Sequence, residues 1–186
     1  LGPVAGSTAQ RPRVVMMCGP GGAGKTTYAM RLEREGWTRL SFEVEFWDRG
    51  ITTMPSADVV AEVAADLKAR LLGLVAAGND VVLDFGFWFR RQRDEFRALL
   101  APQRIVPETV YIATSLEDIL SRVGDRHGRG PDDWPLSEQT ATEYFERFEP
   151  PVFCYHDIVH NDLVVELFEA AGVVFGDDVD EVVPGA

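Results

Sequence analysis

The chain has 186 residues, of which 46% are hydrophobic and 26% charged, and this length and composition exclude a disordered chain and indicate a folded domain with a sizeable core. Thirty acidic and eighteen basic residues give a net charge of −12, which disfavours a nucleic-acid partner. Two cysteines are too few for a disulfide framework, and no apolar run reaches the ~20 residues that span a membrane. We therefore expect a cytoplasmic protein without a membrane partner.

The two ends of the chain differ from the stretch between them. Residues 1–10, which begin with Leu rather than Met, are interpreted as a cloning remnant or a disordered N-terminus. Residues 11–175 are predicted to form one domain, because no long Gly/Ser/Pro linker divides them, and residues 176–186 to form a loose acidic tail. The arginines of this acidic chain cluster at 90–97 and 122–129, a distribution that favours binding of a small anion.

Short apolar runs alternate with helical patterns along the chain. Strands are predicted at Val14–Cys18, Thr38–Phe42, Asp80–Asp84, Thr109–Ala113 and Asp157–His160. Helices are predicted at 27–34, 56–77, 115–122 and 162–171, the third opened by a capping box of Thr114 and Glu117. Strands separated by helices of this length predict an α/β fold with a parallel sheet that is covered on both faces.

The strongest chemical signal is the segment Gly-Pro-Gly-Gly-Ala-Gly-Lys-Thr at 19–26, a full match to G-x-x-x-x-G-K-[ST] between a buried strand and a helix. Glycines let backbone amides point at phosphate oxygens, and the helix adds the positive end of its dipole. Lys25 is predicted to reach the β- and γ-phosphates of ATP, and the Thr26 hydroxyl to bind Mg²⁺. The predicted nucleotide-binding residues of this loop are Gly21, Gly22, Ala23, Gly24, Lys25, Thr26 and Thr27. The alternative is a glycine-rich turn that only joins strand to helix.

Asp84 ends the most β-branched of the predicted strands. A carboxylate at the carboxyl end of a parallel strand lies where a phosphate-loop protein needs a second partner for Mg²⁺. Asp84 is therefore the predicted metal residue beside Thr26; the alternative is an ordinary strand end before the turn at Gly86.

Arg122, Arg126 and Arg129 occur where a predicted helix runs into the glycine-rich segment His-Gly-Arg-Gly-Pro-Asp-Asp. Guanidinium groups on a mobile segment can close over phosphates, so residues from about 122 to 150 are predicted to form a lid. We expect Arg126 to contact the transition state, and Arg122 and Arg129 to contact the nucleotide. The alternative is the ordinary preference of a helix C-terminus for basic residues.

With these motifs in view, residues from about 14 to 151 resemble the P-loop kinases of the zeta-toxin, polynucleotide kinase and chloramphenicol phosphotransferase group, which includes small bacterial AAA-type ATP-binding proteins. The resemblance rests on the loop at 19–27 and on the segments Leu40-Ser41-x-Glu43-x-x-x-Trp47, Val82-Leu83-Asp84-x-Gly86-Phe87-Trp88, Arg122-x-x-x-Arg126 and Phe148-Glu149-Pro150-Pro151. It implies a three-layer P-loop NTPase fold with a five-stranded sheet of kinase-type order and an Arg-bearing lid. It also implies transfer of the γ-phosphoryl group of ATP to a hydroxyl.

In the group that the chain resembles, an acidic residue after the second strand accepts the proton of the substrate hydroxyl. Glu43 occupies the matching place, although Asp is commoner there, and Glu45 and Asp48 remain alternatives. A third interpretation is that all three form one solvated acidic edge. The segment around Asn161 is similar to the last-strand loop that packs on adenine in nucleoside-monophosphate kinases, whereas a helix N-cap explains Asn161 equally well.

Aromatic residues flank the two strand ends that should face the acceptor, and Trp47 and Trp88 are the candidates for contact with it, with a place in the core as the alternative. Arg90, Arg91 and Arg93 could bind an acidic acceptor, but a solvated helix face is favoured.

The sequence thus predicts an ATP- and Mg²⁺-dependent phosphotransferase with a small-molecule hydroxyl acceptor, and leaves the acceptor's identity and the oligomeric state open. The alternatives are a polynucleotide 5′-hydroxyl kinase, which the net charge disfavours, and a toxin-like nucleotide-binding module that hydrolyses ATP slowly or not at all.

Overall fold

Four parallel strands form the centre of the computed structural model, which describes residues 11–124, 126 and 128–151. They are β1 (Val14–Cys18), β2 (Thr38–Ser41), β3 (Val81–Gly86) and β4 (Glu108–Tyr111), in the order β2-β3-β1-β4. All three pairings are parallel, so the predicted α/β fold with a parallel sheet is confirmed. The predicted strand at 157–160, the helix at 162–171 and Asn161 lie outside the described residues, and the sheet described here has four strands.

Helices follow the strands and cover both faces of the sheet. They are α1 (Lys25–Arg34), α2 (Phe42–Asp48), α3 (Ala57–Ala76), α4 (Arg90–Leu100), α5 (Leu116–Val123) and α6 (Glu138–Arg147), with short 3-10 turns at Ala101–Gln103 and Pro131–Asp133. No helix of the described segments is both long enough and apolar enough to cross a bilayer.

The predicted bounds of the third strand, the fourth strand and the first helix differ from those observed by one or two residues. Two further differences have a local cause. The second strand ends one residue early because Ser41 caps α2, its hydroxyl accepting from the Val44 amide at 3.4 Å. The capping box at the start of α5 is wrong: Ser115, not Thr114, is the N-cap and accepts from the Asp118 amide at 3.1 Å.

The core lies in two layers separated by β1, every residue of which is buried. One layer joins alternate β1 residues to the buried stripe of α3, which consists of Val63, Leu67, Leu71 and Val75. The other joins Val15 and Met17 to Ala29 of α1. Burial on both faces explains why β1 is a continuous apolar run, and the spacing of three and four residues in α3 is that of a one-sided helix.

The register of the strands brings polar groups together at one edge of the sheet. Ser41 at the end of β2 pairs with Asp84 of β3, and Cys18 at the end of β1 pairs with Gly86. The carboxyl ends of three neighbouring strands therefore meet at the loop that follows β1, which is where open α/β sheets bind ligands.

Candidate functional site

The loop between β1 and α1 has the backbone of a phosphate cradle. Gly19, Gly22 and Gly24 have φ of 149°, 86° and 107°, values that residues with a Cβ atom rarely adopt. Gly24 is the N-cap of α1, and no side chain accepts a hydrogen bond from the amides at this helix end. The positive end of the helix dipole therefore has no side-chain cap. The Gly19 amide donates to the Gly86 carbonyl at 3.0 Å, which ties the start of the loop to β3.

Lys25, the first residue of α1, extends back along the loop, and its Nζ donates to the Pro20 carbonyl at 2.8 Å. Burial lowers the pKa of Lys25, the carboxylates of Asp84 and Glu43 oppose this, and Arg126 adds to the lowering. The lysine thus lies between acidic groups of the sheet edge and a cation of the predicted lid. A single backbone carbonyl holds its amine in the described residues, which leaves donors for a phosphate.

Asp84 is buried at 4% exposure, within β3 rather than at its end. The pKa of Asp84 is raised to about 6, chiefly by burial. The charge of Lys25 opposes this rise, and so do a hydrogen bond with Thr26 and the charge of Arg39, whereas the charge of Glu43 adds to it. The hydrogen bond joins the two residues that were predicted to bind Mg²⁺, and both supply the oxygen atoms that this ion prefers.

The donor set fits Mg²⁺ held partly by phosphate. The described segments contain no group of three or more His, Cys, Asp and Glu side chains arranged to hold a metal ion. Mg²⁺ in nucleotide sites typically takes one or two protein oxygens together with phosphate oxygens and water. Thr26 and Asp84 would hold it in this way, and it would neutralise charge on the phosphates.

Glu43 lies in the first turn of α2, where its Oε2 accepts from the Ser41 hydroxyl at 2.9 Å. It lines the same cavity as Lys25 and Asp84. The two alternatives differ: Glu45 forms an ion pair with Arg70, and Asp48 is exposed at the end of α2. Of the three acidic candidates, only Glu43 is among the residues that line this cavity.

The cavity has a volume of about 1060 Å³, large enough for a nucleotide and a second small molecule. Its lining includes the phosphate loop from Gly21 to Thr27 and the aromatic residues Phe46, Phe85, Trp88, Trp134 and Tyr144. Of the two tryptophans predicted to contact the acceptor, Trp88 lines the cavity, whereas Trp47 does not and its neighbour Phe46 does. A seven-residue helix turns successive side chains by about 100°, so adjacent residues face different directions.

Described residues of the segment predicted to form a lid contact the loop. Arg122 donates to the Ala23 carbonyl at 3.3 Å, and Arg126 donates to the Trp134 carbonyl at 3.4 Å. Both line the cavity, but Arg129 does not; its backbone amide donates to the Asp133 carboxylate at 3.0 Å. A Cβ placed on Gly21 would lie 2.9 Å from Cδ2 of Leu136, so the segment after Trp134 is closed against the phosphate loop.

Arg39 of β2 belongs to the site, although sequence analysis did not single it out. Its side chain is 7% exposed, and its Nη1 lies 3.3 Å from Asp84 Oδ2 and 2.8 Å from Asp132 Oδ1, while Nε lies 3.7 Å from Glu33 Oε2. The sequence did hold a signal for this role, namely an arginine inside a short predicted strand. A charged side chain at such a position needs a partner.

The interpretation of residues 90–93 as a solvated helix face is wrong for Arg93, which is 3% exposed. Its Nη1 donates to the carbonyls of Phe87 at 2.9 Å and Glu149 at 3.1 Å. The Glu149 carboxylate accepts from the Arg90 amide at 2.9 Å, so the segment after α6 is held at the start of α4. Three-residue spacing placed Arg93 on the side of α4 that also buries Phe96 and Leu100.

A glycine loop after a buried strand, a lysine at the start of the next helix and a carboxylate on a neighbouring parallel strand define a P-loop kinase-like fold. The family comparison agrees: the chain belongs to the family described as AAA domain (AAA_33), whose model matches residues 14–151.

Solved structures with this fold include several kinases. A putative kinase from Chloroflexus aurantiacus j-10-fl has a TM-score of 0.61 at 17% identity, with 77% of this chain and 83% of that chain covered. The Pnkp1/Rnl/Hen1 RNA repair complex gives 0.60 at 13% identity, over 78% of this chain and 46% of that chain. The Mycobacterium tuberculosis APS kinase CysC in complex with AMPPNP and APS has a TM-score of 0.50 at 22% identity, with 62% of this chain and 70% of that chain covered. These identities show the fold alone.

Curated relatives match over a short segment only. A stretch of 40 residues is 52% identical to the 4-hydroxy-3-methylbut-2-enyl diphosphate reductase of Rhodopirellula baltica and covers 22% of this chain. The matched stretch spans 12% of that protein's length.

Proposed function

We propose that this protein is an ATP- and Mg²⁺-dependent phosphotransferase that moves the γ-phosphoryl group of ATP to a hydroxyl of a small molecule. The observation that carries the proposal is that Lys25, Asp84 and Glu43 line one cavity with the phosphate loop. Within the family, the ordered segments at 40–47, 82–88 and 148–151 support a place beside the zeta-toxin and chloramphenicol phosphotransferase group.

The loop and Lys25 would bind the phosphates of ATP. The glycine amides and the start of α1 supply fixed donors that need no rearrangement, and Lys25 exchanges the Pro20 carbonyl for phosphate oxygens. Thr26 and Asp84 would hold the Mg²⁺, for which the Asp84 carboxyl must be ionised. Since its pKa is about 6, that condition is met at neutral pH.

Glu43 would orient the acceptor hydroxyl and accept its proton. Positioning dominates phosphoryl transfer, and a base needs chiefly to hold the attacking oxygen in line. The Ser41 hydroxyl donates to one carboxylate oxygen of Glu43 and so restrains its rotation. The other oxygen has no partner given by a described residue and is available to an acceptor.

Arg126 and Arg122 would act on the phosphates from the lid side. The charge of Arg126 lowers the pKa of Lys25, and both residues line the cavity, which supports a role for Arg126 at the γ-phosphate. Arg122 lies over the loop itself, its Nη1 3.9 Å from a Cβ placed on Gly24. We therefore assign Arg126 to the transition state and Arg122 to the bound nucleotide. Arg129 is assigned an indirect role in shaping the lid, because its backbone amide donates to the Asp133 carboxylate.

The acceptor side of the cavity favours a small molecule with an apolar or ring-bearing body. Phe46 and Trp134 lie 6.0 Å apart between ring centroids and line the same cavity as Glu43, and the aromatic side chain of Trp88 also lines it. Aromatic faces bind flat or apolar groups, while the carboxylate fixes the hydroxyl.

A polynucleotide 5′-hydroxyl kinase is the second candidate, since the structural likeness to the Pnkp1/Rnl/Hen1 complex favours it. The net charge of −12 opposes it. Incubation with labelled ATP and a 5′-hydroxyl oligonucleotide separates the two: label on the oligonucleotide at rates equal to the best small alcohol would replace our assignment. ATP hydrolysis without a phosphorylated product from any hydroxyl library would instead indicate a slow ATPase module.

Binding of a nonhydrolysable ATP analogue with Mg²⁺ tests the first step. A ligand at about 100 times its Kd stabilises the folded state by ~2.7 kcal/mol, so the Tm should rise by about 5 °C or more. Lys25→Ala should stay folded and lose this shift. Lys68→Ala is the matched control, because Lys68 is paired with Glu95 on the surface. An equal shift in wild type and Lys25→Ala would contradict the assigned phosphate site.

A further inference from the structure

Arg39 places one positive charge between two carboxylates from different parts of the molecule. Asp84 lies on the neighbouring strand β3, and Asp132 lies in the turn Pro131–Asp133, 93 residues from Arg39 along the chain. The same guanidinium nitrogen, Nη1, contacts both, at 3.3 and 2.8 Å. Glu33 is the third charged group facing the arginine, at 3.7 Å from Nε, and it is half exposed.

The turn that carries Asp132 is built by its own hydrogen bonds. The Gly128 amide donates to the Asp133 carbonyl at 2.9 Å, and the Asp133 amide donates to the Gly130 carbonyl at 3.1 Å. The Asp132 carboxylate is therefore presented on a formed turn, and its ion pair with Arg39 joins this turn to the sheet. The arginine side chain is 7% exposed and the Asp132 side chain 36%, so water screens the pair in part.

We propose that Arg39 is a positioning residue that divides its charge between Asp84 and the lid residue Asp132, so that its pair with Asp132 weakens its hold on Asp84 and leaves that carboxylate available to Mg²⁺. This inference rests on the proposed function. A cation close to a carboxylate competes with a metal ion for it, and sharing the cation with a second carboxylate reduces that competition.

The coupling acts in both directions. If the pair of Arg39 with Asp132 favours Mg²⁺ at Asp84, then Mg²⁺ at Asp84 strengthens that pair and so favours the closed lid, because coupling between two binding events is reciprocal. The lid would then close on a metal-loaded nucleotide in preference to a metal-free one, which would protect ATP from reaction before its charge is neutralised.

Hydrogen exchange of the ligand-free protein tests whether the pair of Arg39 with Asp132 holds the turn at 128–134 to the sheet. Asp132→Asn and Arg39→Met should each speed amide exchange in residues 128–134 by about three- to tenfold, and the double variant should match Arg39→Met. The control is Asp66→Asn, which breaks the exposed ion pair of Asp66 with Arg49 and should leave the lid unchanged. Unchanged exchange in both lid variants would overturn the proposal.

The Mg²⁺ requirement of nucleotide binding tests the coupling. The quantity to measure, at alkaline pH, is the Mg²⁺ concentration that gives half of the AMPPNP-dependent rise in Tm. Asp132→Asn leaves the whole charge on Asp84 and should raise this concentration by about threefold, whereas Arg39→Met removes the competing cation and should lower it by a similar factor. A merely structural role would move both variants in the same direction, and that result would overturn the proposal. If AMPPNP does not stabilise the wild type, the proposed function fails, and lid exchange alone decides the role of Arg39.

Discussion

The indole of Trp88 and the phenol ring of Tyr144 lie 4.2 Å apart between ring centroids, and this contact joins the end of β3 to helix α6. The same indole crosses Gly86: a Cβ there would lie 2.6 Å from Trp88 Nε1 and 3.6 Å from Lys25 Cε. Gly86 also has a φ of 83°. A residue larger than glycine would therefore clash with the indole at this position, which is also next to the lysine of the loop.

Replacement of Glu43 tests the assigned base. Glu43→Gln keeps the shape and the contact with Ser41 but cannot accept a proton, so phosphoryl transfer should slow at least tenfold while ATP binding stays unchanged. The measurements are single-turnover transfer and nucleotide-dependent Tm. Glu45→Gln, which removes the ion pair with Arg70, is the matched control and should transfer at the wild-type rate. The opposite pattern in the two variants would assign the base to Glu45.

The two lid arginines should differ in kinetics. Arg126→Ala should lower kcat more than it weakens ATP binding, because its interaction is strongest with the charge that develops during transfer. Arg122→Ala should chiefly weaken ATP binding, since its Nη1 contacts the loop carbonyl of Ala23. Equal losses in kcat and in ATP affinity for Arg126→Ala would indicate a ground-state contact.

The buried carboxyl of Asp84 should give a measurable pH dependence. Its pKa of about 6 lies above the value of ~3.9 for an unfolded chain, so the folded state binds the proton more tightly. Folding is therefore favoured by this group at low pH, and the contribution is lost as pH rises from about 4 to 6, to a total of about 3 kcal/mol. The free energy of unfolding of Asp84→Asn should rise relative to wild type by up to that amount across this interval.

The proposed binding of Mg²⁺ depends on the same carboxyl in the opposite sense. Mg²⁺ requires the ionised form, so the Mg²⁺-dependent part of nucleotide stabilisation in the wild type should fall as pH drops below about 6. Equilibrium denaturation and nucleotide-dependent Tm, each measured from pH 4.5 to 8, check both effects. A pH-independent difference between wild type and Asp84→Asn would show that Asp84 does not titrate in this range.

Arg93 should contribute to stability rather than to acceptor binding. Arg93→Met removes the guanidinium donor of the Glu149 carbonyl and leaves the Phe87 carbonyl with only the weak donor of the Cys18 thiol, which should lower the free energy of unfolding by about 2–4 kcal/mol. Arg91 is exposed on the same helix, and Arg91→Met should change stability by less than about 0.5 kcal/mol. Chemical denaturation measures both, and similar values for the two variants would contradict the buried role of Arg93.

Prediction succeeded where a local pattern has one physical solution. The apolar run of β1 and the stripe of α3 match the structure because burial on two faces or on one face imposes its own spacing. It failed at the start of α5, where Thr114 and Ser115 are equivalent as local caps. The Thr114 hydroxyl donates instead to the Ala23 carbonyl at 3.1 Å, a contact 91 residues away along the chain.

The sequence alone determined the glycine loop with Lys25 and Thr26 and the parallel sheet, because these follow from short-range backbone and burial requirements. It brought Asp84 near them through the rule that the carboxyl ends of parallel strands meet at one edge. Tertiary structure decided which of Glu43, Glu45 and Asp48 enters the cavity, and it decided the partners of Arg39 and Arg93. The physical reason is that an isolated charge has no preferred partner in the sequence. Burial imposes one, and the partner depends on which distant segment the sheet and the lid bring within reach.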